Sequence, residues 1–151
     1  MNPFQLAQVN IGRIQGVNIN DPVMKEFVDN LAEINHLAEN SPGFIWRLKD
    51  DANNATSIQM FDDERIIVNM SVWETLEQLY QFAYKSMHAE FLKRRKEWFE
   101  KMGEMYYVLW YVPAGTVPGV MEARQRLEHL RAHGETPHAF SFSKRFGPEE
   151  L

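Results

Sequence analysis

An apolar strand that runs without a loop into paired amphipathic helices, Ile66 to Phe99 (IIVNMSVWETLEQLYQFAYKSMHAEFLKRRKEWF), constrains this chain more than any other stretch. Val68, Met70 and Val72 alternate with Asn69, Ser71 and Trp73, so one strand face is apolar and the other carries polar groups beside an indole. Thr75 and Gln78 have capping-box spacing at the head of a helix bearing Leu76, Leu79, Tyr80 and Ala83. A break is predicted near Ser86. The second helical segment is expected to reach about Lys101 with Phe91, Leu92, Trp98, Phe99 and Met102 on one face.

Three more strands and two more helices follow from the same signals. From Phe4 to Ile14, Ala7, Val9 and Ile11 alternate with Gln8, Asn10 and Gly12. Asp21 and Pro22 open a helix expected to end near Glu39, with Val23, Phe27, Leu31, Ile34 and Ala38 at helical spacing. Ser41-Pro42-Gly43 stops it, and Phe44 to Lys49 reads as a strand with Phe44, Trp46 and Leu48 opposed to Ile45, Arg47 and Lys49. The polar stretch from Asp50 to Ser57 is the expected hairpin loop. Met105 to Val112 is a strand with aromatic residues on both faces, and Pro113 to Gly119 is punctuation. A last helix carries Val120, Ala123, Leu127 and Leu130, and Gly134 is its stop.

The order strand, helix, strand, strand, helix, strand predicts an α+β fold, a ferredoxin-like four-stranded antiparallel sheet with helices on one face and an extra C-terminal helix and tail. With 151 residues and 44% hydrophobic side chains, the chain is expected to form a single domain. Its core is expected at about 4–113, and the C-terminal helix with a docking tail at 119–151. The apolar rows should face the helices, which leaves the other sheet face in need of cover. That deficit predicts a homodimer, two sheets face to face in a dimeric α/β barrel, with a polar cavity bounded by sheet and helices.

Composition narrows the function classes. No cysteine is present, which excludes disulfides, thiolate metal sites and thiol catalysis. The net charge of -5 argues against a surface for nucleic acid. The basic run Lys93-Arg94-Arg95-Lys96 is laced by Glu90, Glu97 and Glu100 at helical spacing, as on a solvated helix surface. Neither a basic leader with a long apolar core nor a membrane-length apolar window occurs, so a cytoplasmic protein without membrane contact is expected. Glycine-rich phosphate loop, HExxH and nucleophile elbow are all missing from the sequence.

The segment Asn69-Met70-Ser71-Val72-Trp73-Glu74-Thr75, followed by Leu76, Phe82, His88 and Phe91, resembles the strand-to-helix signature of the dimeric α/β-barrel superfamily, which includes antibiotic-biosynthesis and haem-degrading monooxygenases. Phe44-Ile45-Trp46-Arg47-Leu48, the Arg94 to Phe99 run and Arg126 to Gly134 are similar to a bacterial family of unknown function within it. The resemblance implies a cofactor-independent monooxygenase-like enzyme acting on an aromatic or polyketide-like substrate, with no cofactor of its own. In such chemistry the bound substrate ionises and itself reduces oxygen. A non-catalytic ligand-binding or structural dimer module is the alternative, and haem binding or degradation a further one. Phe82 stands where the haem enzymes lead one to expect a polar residue or tryptophan.

The candidate site gathers the polar rows. Gln8, Asn10, Arg47, Asn69 and Ser71 are expected to floor a small-molecule pocket with aromatic walls from Trp73 and from Tyr107 or Tyr111. The same side chains would otherwise bond to one another across a wet interface. His88 and Arg95 are seven residues apart on a stripe that hydrophobicity would fill with aliphatic groups. Read functionally, His88 is a general base, Arg95 or Arg47 the partner of an anion, and Asn10 and Asn69 orient the substrate. Read structurally, His88 bonds a backbone carbonyl and Arg95 snorkels or pairs with a carboxylate. His129 and His133 lie four apart on the polar side of the last helix with no carboxylate placed beside them, so no metal site is expected.

Overall fold

The computed structural model describes residues 3–49, 56, 58–86 and 88–151. The expected hairpin loop, 50–57, lies outside the described residues except for Thr56. Strand β1 (Phe4–Arg13) is followed by a single 3-10 turn (Pro22–Met24) and helix α1 (Lys25–Glu39). Then come β2 (Phe44–Arg47), β3 (Ile66–Trp73), α2 (Leu76–Lys85), α3 (His88–Lys93), α4 (Arg95–Trp98), β4 (Tyr107–Pro113) and α5 (Val120–His133). The strands run antiparallel in the order β2-β3-β1-β4, the ferredoxin-like arrangement.

Local chemistry accounts for the boundaries. The Asp21 side chain accepts the Val23 N–H at 3.1 Å and starts the turn that leads into α1. Thr75 Oγ1 accepts the Gln78 N–H at 3.2 Å, which caps α2, and donates to Gln78 Oε1. Ser86 ends α2. Gly134 closes α5 at φ 74°, a conformation in which a Cβ would be strained.

Two boundaries differ from the sequence reading. The second helical segment splits at Arg94 into α3 and α4 and stops at Trp98. Phe99 is extended (φ -126°, ψ 142°) and bridges Ile14, and the Glu100 N–H reaches the Arg13 carbonyl at 2.8 Å. The end of β1 thus recruits the chain before it can make another helical turn. In β2 the register slips by one residue: Phe44 is opposite Trp73, yet Trp46 is opposite Val72 and Arg47 opposite Ser71. This bulge breaks the strict alternation and brings Phe44 and Arg47 to one face.

The covering of the sheet also differs. Helices α1 to α4 lie over the face that bears Gln8, Asn10, Asn69 and Ser71, not over the apolar rows. The apolar rows (Ala7, Val9, Ile11; Val68, Met70, Val72; Val108, Trp110, Val112) are packed instead under Ala123, Leu127 and Leu130 of α5. These three side chains are at most 3% exposed, so the face is sealed within one chain. Strand periodicity fixes which residues share a face but not which helix arrives there. Among the described residues, the face whose exposure was the argument for a homodimer is thus covered by α5 of the same chain. Among the described residues, no helix is long and apolar enough to cross a membrane.

Candidate functional site

Between the polar face of the sheet and helices α1 to α4 lies a cavity of about 220 Å³. Its floor is a closed network of side chains. Gln8 Nε2 donates to Asn69 Oδ1 and to Ser71 Oγ, each at 2.8 Å. Asn10 Nδ2 donates to Gln8 Oε1 at 3.1 Å and to Asn69 Oδ1 at 3.2 Å. Trp73 Nε1 donates to Ser71 Oγ at 2.9 Å. Cross-strand register explains the cluster, since Asn10 is opposite Asn69 and Gln8 opposite Ser71 in the β1–β3 ladder.

Aromatic rings form the walls. Trp73 stacks on Phe82 at 5.2 Å between centroids and meets Phe44 edge-on at 5.5 Å. Phe82 in turn lies 4.8 Å from the His88 ring. Tyr107 lines the cavity, whereas Tyr111 does not. The Tyr111 hydroxyl donates to the Phe146 carbonyl at 2.7 Å, so the tail draws it toward the far end of β4.

His88 and Arg95 both reach the cavity although α3 and α4 are separate helices. The His88 Nδ1 lies 3.2 Å from the Ala83 carbonyl. A carbonyl only accepts, so Nδ1 carries the proton and Nε2 keeps its lone pair. Burial pulls the imidazole below its ordinary value of 6.5, partly offset by the Ala83 bond. The backbone bond foreseen for His88 is present, and the ring also lines the cavity.

Arg95 donates through Nη2 to the Ile11 carbonyl at 2.6 Å, with its guanidinium 4.1 Å from the Tyr106 ring centroid and 4.8 Å from that of Phe99. Burial lowers its pKa, offset by Tyr106. Among the described residues no carboxylate pairs with it. Its neighbour Arg94 behaves as the solvated-helix reading foresees, binding Glu26 at 2.5 and 2.6 Å and Glu97 at 2.8 Å. Arg47 is 6% exposed and lies 3.7 Å from Glu39 at the end of α1. The described residues lining the cavity include two arginines and no Asp, Glu or Lys.

The structure therefore brings Gln8, Asn10, Arg47, Asn69, Ser71, Trp73, His88, Arg95 and Tyr107 to one cavity and leaves Tyr111 outside. The sequence reading missed Phe44, concealed by the bulge, and Tyr106, whose ring matters only once Arg95 stacks on it. Phe142, one of three phenylalanines in a tail expected to dock and narrow the pocket entrance, also lines the cavity, and its N–H is bonded to the Tyr107 hydroxyl at 3.1 Å. Asn30 and Asn35 of α1 line the cavity as well, and their helical spacing beside Leu31 and Ile34 was the available signal. His129 lies within 4.6 Å, ring to ring, of both His133 and His138. Among the described residues no group of three or more His, Cys, Asp or Glu is placed to hold a metal ion.

Residues 5–151 match the family described as "Domain of unknown function (DUF3291)". No curated protein matches the chain. A conserved protein from Methanosarcina mazei Go1 is similar in structure, with a TM-score of 0.52 at 13% identity over 74% of this chain and 93% of that one. Likeness at that identity shows a shared fold. A "Putative antibiotic biosynthesis monooxygenase" from Nitrosomonas europaea gives a TM-score of 0.48 at 11% identity, over 79% of this chain and 97% of that one.

Proposed function

We propose, for a chain that belongs to the DUF3291 family, that the cavity binds a small aromatic acid of phenol or enol type and that the protein oxidises it as a cofactor-independent monooxygenase. The observation that carries this reading is the charge of the lining. In a protein of net charge -5, two guanidiniums line the cavity: Arg47 has Glu39 3.7 Å away, whereas Arg95, among the described residues, has no carboxylate partner. A desolvated cation stacked between rings favours an anion with a flat apolar body.

Size agrees with that ligand. An apolar cavity of roughly 150 Å³ holds one benzene ring, and drug-sized sites run to roughly 300–1,000 Å³. The 220 Å³ here suits a small aromatic better than a porphyrin. In the proposed reaction His88 Nε2 takes the acidic proton, Arg95 balances the anion, and Asn10 and Asn69 orient it. The anion then reduces O₂. One oxygen atom converts a ring CH₂ to C=O, and the other leaves as water with the two hydrogens. A cytoplasmic setting and a homodimer belong to the same proposal, although the cavity lies within one chain.

A second reading, a non-catalytic ligand-binding protein, is favoured by the floor itself, whose amides largely satisfy one another. Oxygen uptake separates the two. Phenolic and anthrone-like compounds should raise the melting temperature and consume O₂ with the wild type, and His88→Ala should consume it about 100-fold or more slowly, the usual worth of a general base. Asn10→Ala should weaken binding. Stabilisation without any oxygen uptake would leave the binding reading in place and remove the enzyme.

A further inference from the structure

The floor network is anchored at one end by a group that can only donate. An indole N–H can only donate, so the 2.9 Å contact from Trp73 Nε1 makes Ser71 Oγ an acceptor. Gln8 Nε2 donates to the same oxygen at 2.8 Å. Both lone pairs of the hydroxyl are then occupied, and its proton has to point elsewhere.

In the orientation found, the network offers that proton no acceptor. Gln8 uses its two N–H groups on Ser71 and Asn69, and its carbonyl oxygen accepts from Asn10. Asn10 uses its second N–H on Asn69 Oδ1, which thereby holds two donors. Flipping the Gln8 amide alone would set its N–H groups against those of Asn10, and reversal requires Gln8, Asn10 and Asn69 to flip together. Among the described residues nothing accepts from Ser71, which lines the cavity and is only 7% exposed. A buried hydroxyl whose proton faces a cavity can donate to an acceptor placed there.

We infer that the Ser71 hydroxyl is the hydrogen-bond donor that receives a ligand's oxygen anion, with Trp73 and Gln8 as the positioning residues that aim it. This rests on the reading of the cavity as a site for an aromatic acid and adds its polarity. The floor accepts a phenolate, enolate or carboxylate oxygen and rejects an aromatic amine of the same shape. Trp73 contributes its face to the wall and its N–H to Ser71, so that N–H does not contact the ligand.

The test uses 4-nitrophenol, whose phenolate band reports ionisation directly, and 4-nitroaniline, which matches its shape but offers N–H donors. With the full-length wild type, bound 4-nitrophenol should ionise at a lower pH than the free dye, and 4-nitroaniline should bind at least tenfold more weakly than the phenolate. Ser71→Ala should weaken phenolate binding about tenfold, the worth of one hydrogen bond to a charged acceptor. Ser71→Cys, a poor donor of similar size, gives the same readout if the alanine variant does not fold, and Ser71→Thr should retain the wild-type ionisation. If the alanine and cysteine variants keep the wild-type shift, Ser71 is not the donor although the cavity still takes a phenolate. If the wild type binds neither dye, the aromatic-acid reading and this inference fall together.

Discussion

His88 shows how one side chain can be both structural and chemical. The Ala83 carbonyl holds Nδ1–H and the Phe82 ring packs against the imidazole, so Nε2 is presented with little freedom. Burial is the main cause of its lowered pKa. In the folded state the ring therefore titrates below 6.5, and the unfolded chain takes up the proton first as the pH falls. Its contribution to stability is complete above 6.5 and is lost as the pH falls through the folded value. Wild type should thus lose more melting temperature between about pH 7 and about pH 5 than His88→Gln does, and the acid limb of any activity should lie below the ordinary histidine value. Equal slopes for the two proteins would remove burial as the cause. A histidine on an apolar stripe was legible from spacing alone, as was Arg95. The choice between Tyr107 and Tyr111 was not, because period two places both on one face. The bond from Tyr111 to the Phe146 carbonyl, set by the tail, decides it.

At the scale of elements, the meeting of β1 with the end of α4 shapes the Arg95 end of the cavity. Gly12 lies under the Phe99 ring, and a Cβ there would come 2.4 Å from Phe99 Cδ1. Phe99 cannot yield freely, since its ring also packs against Phe27 at 5.1 Å and carries the Arg95 guanidinium. Gly12→Ala should therefore cost about 1–3 kcal/mol through overpacking, measured by urea denaturation, and should weaken the binding of an anionic aromatic by displacing Arg95. An unchanged denaturation midpoint and affinity would show that Phe99 moves without consequence. Alternation along β1 gave Gly12 no reason to be glycine. The reason is a ring that helical periodicity had assigned to a continuous helix, and a heptad-like apolar spacing cannot tell a helix end from a strand bridge. The strand-to-helix step at Thr75, by contrast, was legible because its cap is chemically explicit.

At the scale of the whole molecule, the C-terminal segments complete what the four strands begin. The apolar face was legible in the sequence, but its cover was not, because nothing in a strand names its partner helix. Helix α5 fills that place, and the tail seals the edge of the sheet next to it. Phe140 exchanges backbone bonds with Leu109 of β4 at 2.8 and 3.0 Å, and its side chain is 0% exposed. Phe142, two residues on, is half-buried at the cavity beside Tyr84, 5.4 Å between ring centroids. The two phenylalanines should therefore separate stability from access. Phe140→Ala should cost about 3–5 kcal/mol, which for a chain of this size lowers the melting temperature by roughly 6–20 °C. Phe142→Ala should cost less and instead speed the entry and release of a bound dye, followed by stopped-flow absorbance. Truncation after Gly134 removes both and leaves the β4 edge without its pairing, so light scattering should show association beyond that of the full-length chain at the same concentration. If the truncated protein keeps both the melting temperature and the dye kinetics of the full chain, the tail is a surface appendage, and the cavity is closed by the helices alone.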